Sequence, residues 1–227
     1  MDQKRVVLDA YVNLGRNIKK HPRSSNHVTA FTVTRDIERI SVYLENVDGI
    51  PYPSIFDEVK AIPAIFATSK VQYMSEITKT LGNEASSRLR NTHWTYTFKL
   101  DAKLVGFVAD TFLAAAQLVR DIRGIIADCR FQTSDEVDDE TIYRAFLDML
   151  QAIKEAEKEP GSHVDYLFMN YASQFQDVIS SYGAENVERL RVASYDDDPE
   201  AFLERLQPGY FKLNGSAPAP MRDDGLN

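Results

Sequence analysis

Arg16, Asn17 and His21 fall within the stretch Arg16-Asn17-Ile18-Lys19-Lys20-His21, directly before Pro22. An imidazole that titrates near neutral pH can move a proton, and a fixed guanidinium can stabilise a phosphorane. With an amide beside the arginine, these groups are the ones that metal-independent cleavage of an RNA phosphodiester requires. Helix geometry constrains the idea. Five residues rotate about 140° around an α-helix, so Arg16 and His21 meet on one phosphate only across a dimer interface. Pro22 stops the helix at that point. The simpler role for Lys19, Lys20 and His21 is electrostatic, as cations at the negative end of a helix dipole.

These six residues resemble the R-x4-H motif of HEPN-domain ribonucleases, an all-helical family in which arginine and histidine from paired subunits form the active site. The resemblance implies a phosphate-stabilising role for Arg16, the adjacent polar position for Asn17 and the catalytic histidine for His21. The family carries its motif late in the helical domain, whereas here it lies on the first helix.

Other chemistries find less support. His27, His93 and His163 have no cysteine or carboxylate at metal-ligand spacing, and Asp138-Asp139-Glu140 and Asp196-Asp197-Asp198 lack the alternating ligands and central glycine of a calcium loop. No metal and no cofactor is expected. The ten glycines are scattered, with no phosphate-cradling loop, and no serine sits in a G-x-S-x-G turn. Cys129 is the single cysteine, which excludes an internal disulfide and points to the reducing cytoplasm. The start of the chain does not read as a signal peptide, and no membrane partner is expected.

Charge is distributed unevenly. Residues 1–134 hold 18 basic and 14 acidic side chains, a balance of +4, and residues 135–227 hold 8 and 20, a balance of −12. Such a chain can attract copies of itself head to tail, take protein partners, or act as an acidic regulator that presents its C-terminal half to a basic partner. Arg16, Lys19, Lys20 and Arg23 make the first helix and its loop basic, and Arg88 and Arg90 precede an aromatic stretch. Cations beside aromatic rings bind single-stranded RNA through phosphate contacts and stacking, which makes these six the candidate nucleic-acid residues. The segments "YTFKLDAKLV" and "EVDDET" look like parts of the coat proteins of rod-shaped plant viruses, helical bundles of similar size.

The elements that must position these groups follow from hydrophobic period. Helical spacing runs through 3–20, 37–47, two pieces between 54 and 82, 102–129, a segment opening at the acidic "QTSDEVDDE", 164–182, and two short helices near 184–206. Alternation marks 27–34 and 92–100 as strands that pair with each other. The aromatics of 166–182 encircle their helix too widely for one core stripe. The expectation is a mainly α fold: a helical bundle with a small two-stranded β element, one domain over 1–213, and an extended tail over 214–227. The function expected from it is a non-enzymatic, self-associating coat or filament subunit. A HEPN-like endoribonuclease and an acidic regulatory protein are the alternatives.

Overall fold

α1 (Lys4–Asn17) buries Val7, Ala10, Val12 and Leu14 and gives way to a 3-10 turn at Ile18–Lys20. The computed structural model describes residues 3–84, 90–128, 131–133, 136–157, 161–207, 209, 211–215 and 217, the side chains of 27 and 81–84 excepted. These residues form two compact units, Met1–Asn91 with Leu100–Glu157 and Thr92–Lys99 with Lys158–Asn227.

In the first unit, β1 (Ser24–Val33) and β2 (Glu38–Asn46) form an antiparallel hairpin in which Phe31 faces Ile40 and Val33 faces Glu38. The turn is closed by Thr34, whose hydroxyl accepts from the amides of Asp36 and Ile37 at 3.3 and 3.0 Å. The partner expected for β1 was 92–100, and 37–47 was expected as a helix. Both are corrected. Ile37, Ile40, Tyr43, Leu44 and Val47 fit a helical stripe, but Ile40, Val42 and Leu44 fit strand alternation equally well. A neighbouring strand with unpaired backbone decides in favour of the strand.

α2 (Asp57–Lys60) and α3 (Met74–Glu84) are the two helical pieces of the following segment. β3 (Arg90–Thr92) leads to α4 (Ala102–Val119), which starts where Asp101 accepts from the amides of Lys103 and Leu104, both at 2.9 Å. The apolar pattern of 102–129 does not continue as one helix. Gly124, at φ 75°, turns the chain back, and β4 (Ile126–Ala127) pairs with β5 (Phe131–Thr133). Among the described residues the sheet has five strands in the order β2-β1-β4-β5-β3. The fold is therefore α+β, and the expectation of a helical bundle with a two-stranded element does not hold.

α5 (Asp139–Ala156) packs on α4, and α4 also meets α1 and β1. Between sheet and helices runs a chain of rings: Phe31 to Phe112 at 6.5 Å, Phe112 to Phe131 at 5.9 Å, Phe131 to Phe146 at 4.5 Å. Val33, Ala127 and Phe131 stand in one cross-strand row and are essentially inaccessible. α4 is long and apolar enough to cross a membrane by length and composition. Leu104, Val105, Ala109, Ala115, Ala116 and Val119 on it are buried within this unit.

In the second unit, 92–99 runs extended. Phe98 makes an antiparallel bridge to His163, and the Lys99 amide donates to Ser162 at 2.9 Å. The helix expected over 164–182 is replaced by irregular chain with 3-10 turns at Met169–Tyr171 and Ser180–Tyr182. Its polar side chains take backbone groups that a helix would use. Leu167 donates to the Ser181 hydroxyl at 3.0 Å, Ser180 to Asp177 at 3.2 Å, and the Ser181 hydroxyl donates to the Val178 carbonyl at 2.6 Å. α6 (Ala184–Asp197) and α7 (Phe202–Leu206) follow.

Candidate functional site

The residues singled out first do not assemble. Arg16 is exposed in the last turn of α1, Asn17 donates to the Asn13 carbonyl, and His21 lies half-buried beyond the 3-10 turn. Arg16, Lys19 and Lys20 are exposed together at this helix end, with Lys20 donating to the Asn17 side chain at 3.0 Å. The other cations have acidic partners. Arg23 makes two hydrogen bonds to Asp48, at 2.9 and 2.7 Å, and this carboxylate raises its pKa above the usual guanidinium value. Arg90 is paired with Asp139, which likewise raises it. Arg88 lies outside the described residues. Among the described residues no group of three or more metal-ligating side chains occurs.

Chemistry-bearing side chains do converge in the second unit. The extended strand at 92–99 places consecutive side chains on opposite sides. His93 meets the ring of Tyr171 at 5.9 Å, while Trp94 meets Phe175 at 6.1 Å. Phe168 adjoins Tyr171 at 5.6 Å, and Tyr166 stacks on Tyr182 at 5.9 Å with 24° between planes. Burial, then the neighbouring Tyr166, pushes the Tyr182 phenol above its ordinary pKa. Tyr166, Phe168 and Tyr171 keep exposed faces.

Gln176 holds the arrangement in register. Its carboxamide oxygen accepts from the Thr95 amide at 3.0 Å, and its nitrogen donates to the Thr95 carbonyl at 2.7 Å. The same oxygen accepts from the Ser173 amide at 3.0 Å. One side chain thus does the work of a neighbouring strand, fixing Thr95 and so the two ring residues before it. His163 faces Asp165 at 2.7 Å on the exposed side of the bridge to Phe98.

Exposed ring faces side by side, with an imidazole at their edge, suit stacking of a planar conjugated molecule and a proton transfer beside it. The excess of aromatics over 166–182 was visible in the sequence. His93 drew no attention because it lacks a metal-ligand partner, and Gln176 carries no sequence signal at all. An open hollow of about 570 Å³ lined by Glu188, Val192 and Asp196 is formed by α6 residues alone.

No protein-family model matches the chain, and no solved structure does. It is similar to curated fungal proteins. It is 24% identical to the FAD-dependent monooxygenase FUP4 of Fusarium proliferatum over 196 residues, which is 69% of this chain and 38% of that protein. It is 25% identical to the FAD-dependent monooxygenase tpcD of Cochliobolus heterostrophus over the same shares. To the FAD-dependent monooxygenase drtC of Aspergillus calidoustus it is 23% identical, over 89% of this chain and 46% of the relative. The chain therefore spans less than half the length of these relatives. The expected non-enzymatic coat or filament subunit is overturned by these likenesses.

FAD, named for these relatives, combines a planar ring system with a pyrophosphate. Exposed aromatic faces such as those of Phe168 and Tyr171 suit a planar ring. The pyrophosphate needs free amides at a helix start without competing negative charge. α2, α3, α5, α6 and α7 each carry an acidic residue in the first turn, and at α4 the Asp101 carboxylate already takes the amides. α1 is the exception, with no acidic residue in its first turn.

Proposed function

We propose that this chain is the ring-facing part of a flavin-dependent oxidative enzyme. Its exposed aromatic surface of Phe168 and Tyr171, edged by His93, takes a planar conjugated ring, either the flavin's own or that of an aromatic substrate. The observation that carries this reading is the likeness to FAD-dependent monooxygenases over 69–89% of the chain. The Gln176 clamp supports it, because it fixes the strand bearing His93 and Trp94. His93 is the group placed to hold or move a proton at the edge of the stacked ring. The single cysteine supports a cytoplasmic setting.

Trp94 is the only tryptophan and directly follows His93 in the chain, so its fluorescence responds to a ring bound beside His93. Titration with riboflavin and, separately, with a hydroxylated anthraquinone tests the reading and separates the two ring sources. Saturable quenching by one of them is expected. Each aromatic contact contributes ~0.5–1.5 kcal/mol, so Tyr171→Ala should weaken binding about two- to tenfold. Absence of saturable quenching by both rings, or quenching indifferent to Tyr171→Ala and Phe168→Ala together, sinks the reading.

A further inference from the structure

β2 is an end strand of the sheet, and its outer edge is long. It runs nine residues, Glu38–Asn46, where strands average about 5–6, and holds neither proline nor glycine. The hydrogen bonds just beyond its two ends fix which way each backbone group faces. The Thr34 amide donates to the Ile37 carbonyl at 2.8 Å, and the Val47 amide donates to the Arg23 carbonyl at 2.9 Å. The backbone groups of Ile37 and Val47 therefore face β1, and so do those of Arg39, Ser41, Tyr43 and Glu45, which share their parity. The amides and carbonyls of Ile40, Val42 and Leu44 point the other way, to the outer edge. Among the described residues they have no backbone partner. Such an edge is a template for another strand unless something guards it.

We infer that the occupant of this edge is β2 of a second copy of the chain, paired antiparallel about a two-fold axis at Val42. The inference is independent of the function proposed above. In a two-fold pair of identical antiparallel strands one residue must face itself. Val42 is the midpoint of Glu38–Asn46, so its register alone overlaps the whole strand. That register sets Arg39 of each copy opposite Glu45 of the other. Within one chain the two are about 20 Å apart along the strand, opposite Thr32 and Ser25 of β1, and do not meet. Arg39 is exposed and has no acidic partner among the described residues. Arg39 and Glu45 fall at non-hydrogen-bonded positions of the new pair, where opposed side chains come closest. On the other face Ile40 meets Leu44 and Val42 meets Val42, all half-buried in one chain. This is the face on which Ile40 stands opposite Phe31, whose ring adjoins Phe112 of α4, so apolar face continues into apolar face. The outward groups of Ile40, Val42 and Leu44 make about six backbone hydrogen bonds, two for each hydrogen-bonded pair. Charges that guard the edge against other strands thus match one another in this register. The two-fold closes the assembly at two chains and builds no filament.

Sedimentation velocity of the full chain, from micromolar to hundreds of micromolar, tests the pairing. The expected result is a monomer of 25.8 kDa in equilibrium with a dimer and nothing larger. A nine-residue edge is smaller than the ~20–30 residues a side of a standard interface, so a Kd on the order of 10 μM is expected. Val42→Pro removes an outward amide, leaves every hydrogen bond to β1 in place and should abolish the dimer. Arg39→Glu sets like charges opposite each other twice and should weaken the dimer at least about tenfold. Both variants keep Glu45, which also interacts within its own chain. Adding Glu45→Arg to Arg39→Glu restores opposite charges in exchanged places and should recover most of the loss. Val137→Ser, at an 85% exposed residue outside β2, should change nothing. Far-ultraviolet circular dichroism identifies a variant that does not fold; Arg39 is exposed, so the charge variants decide the case should Val42→Pro fail to fold. A chain monomeric throughout overturns the inference, as does a dimer indifferent to Val42→Pro and Arg39→Glu. A dimer weakened by Arg39→Glu and not recovered by the exchange overturns the two-fold at Val42, and species larger than a dimer overturn the closed pairing.

Discussion

Gln176→Ala is the most informative single change in the second unit. It removes three hydrogen bonds at once, to the Thr95 amide, the Thr95 carbonyl and the Ser173 amide. Gln176 and Ser173 are buried and Thr95 is half-buried, so water replaces the lost partner only in part. With each net bond contributing about 1 kcal/mol and unsatisfied buried groups costing ~1–3 kcal/mol, a loss of about 2–4 kcal/mol is expected. Urea unfolding followed by Trp94 fluorescence measures it, and the native emission should shift red as 92–99 loosens. Gln176→Glu sharpens the test. The carboxylate keeps both accepted bonds but sets an oxygen against the Thr95 carbonyl. Once protonated it donates there again. The folded state then binds the proton more tightly than the unfolded chain, which raises the folded pKa. Stability is therefore present at low pH and lost as pH rises through that value. A Gln176→Ala variant within about 0.5 kcal/mol of the parent, with unmoved Trp94 emission, would refute the clamp.

Three further outcomes follow from the same geometry. Phe131→Ala empties the middle of the ring chain between Phe112 and Phe146 and should cost ~3–5 kcal/mol in chemical denaturation; a loss under about 1 kcal/mol would show that the core collapses around it. Asp101→Ala deprives the Lys103 and Leu104 amides of their acceptor and should cost ~1 kcal/mol, measured by thermal unfolding; Asp101→Asn should recover most of it. Tyr182 holds its proton above the ordinary phenol range, so its folded pKa is raised. The stability it contributes is present below about pH 10 and lost as pH rises through the folded value. Ultraviolet titration should show one late phenol that Tyr182→Phe removes, and a titration unchanged by that substitution contradicts the assignment.

Where local chemistry dominates, the sequence was readable. α1, β1, α5 and α6 follow their apolar period, and Asp101 was recognisable as a cap. The misreadings share a cause. Residues 38–46 satisfy two periods, and a paired strand settled between them. Residues 92–100 alternate as a strand should, yet beyond Thr92 the stretch owes its backbone partners chiefly to the Gln176 side chain and to Ser162, which no periodicity encodes. Over 164–182 the apolar spacing is helical, but Ser173, Gln176, Asp177 and Ser181 supply competing hydrogen bonds from their side chains. The candidate site was half legible in the same way. Its rings were conspicuous as a surplus, while the imidazole beside them became meaningful only through Tyr171.

The charge asymmetry that first suggested assembly has a different consequence in this fold. Acidic residues stand in the first turn of most helices, where they favour the dipole. The same placement disfavours phosphate at those helix starts, α1 excepted, whose first turn carries no acidic residue. On the function proposed above, the aromatic faces rather than these helix starts would take the ligand. Binding to the isolated chain should therefore depend on the ring alone: riboflavin and FAD should quench Trp94 with dissociation constants within about threefold of each other. FAD binding more than about tenfold tighter than riboflavin would reveal a phosphate site in this chain and undo the argument from helix starts.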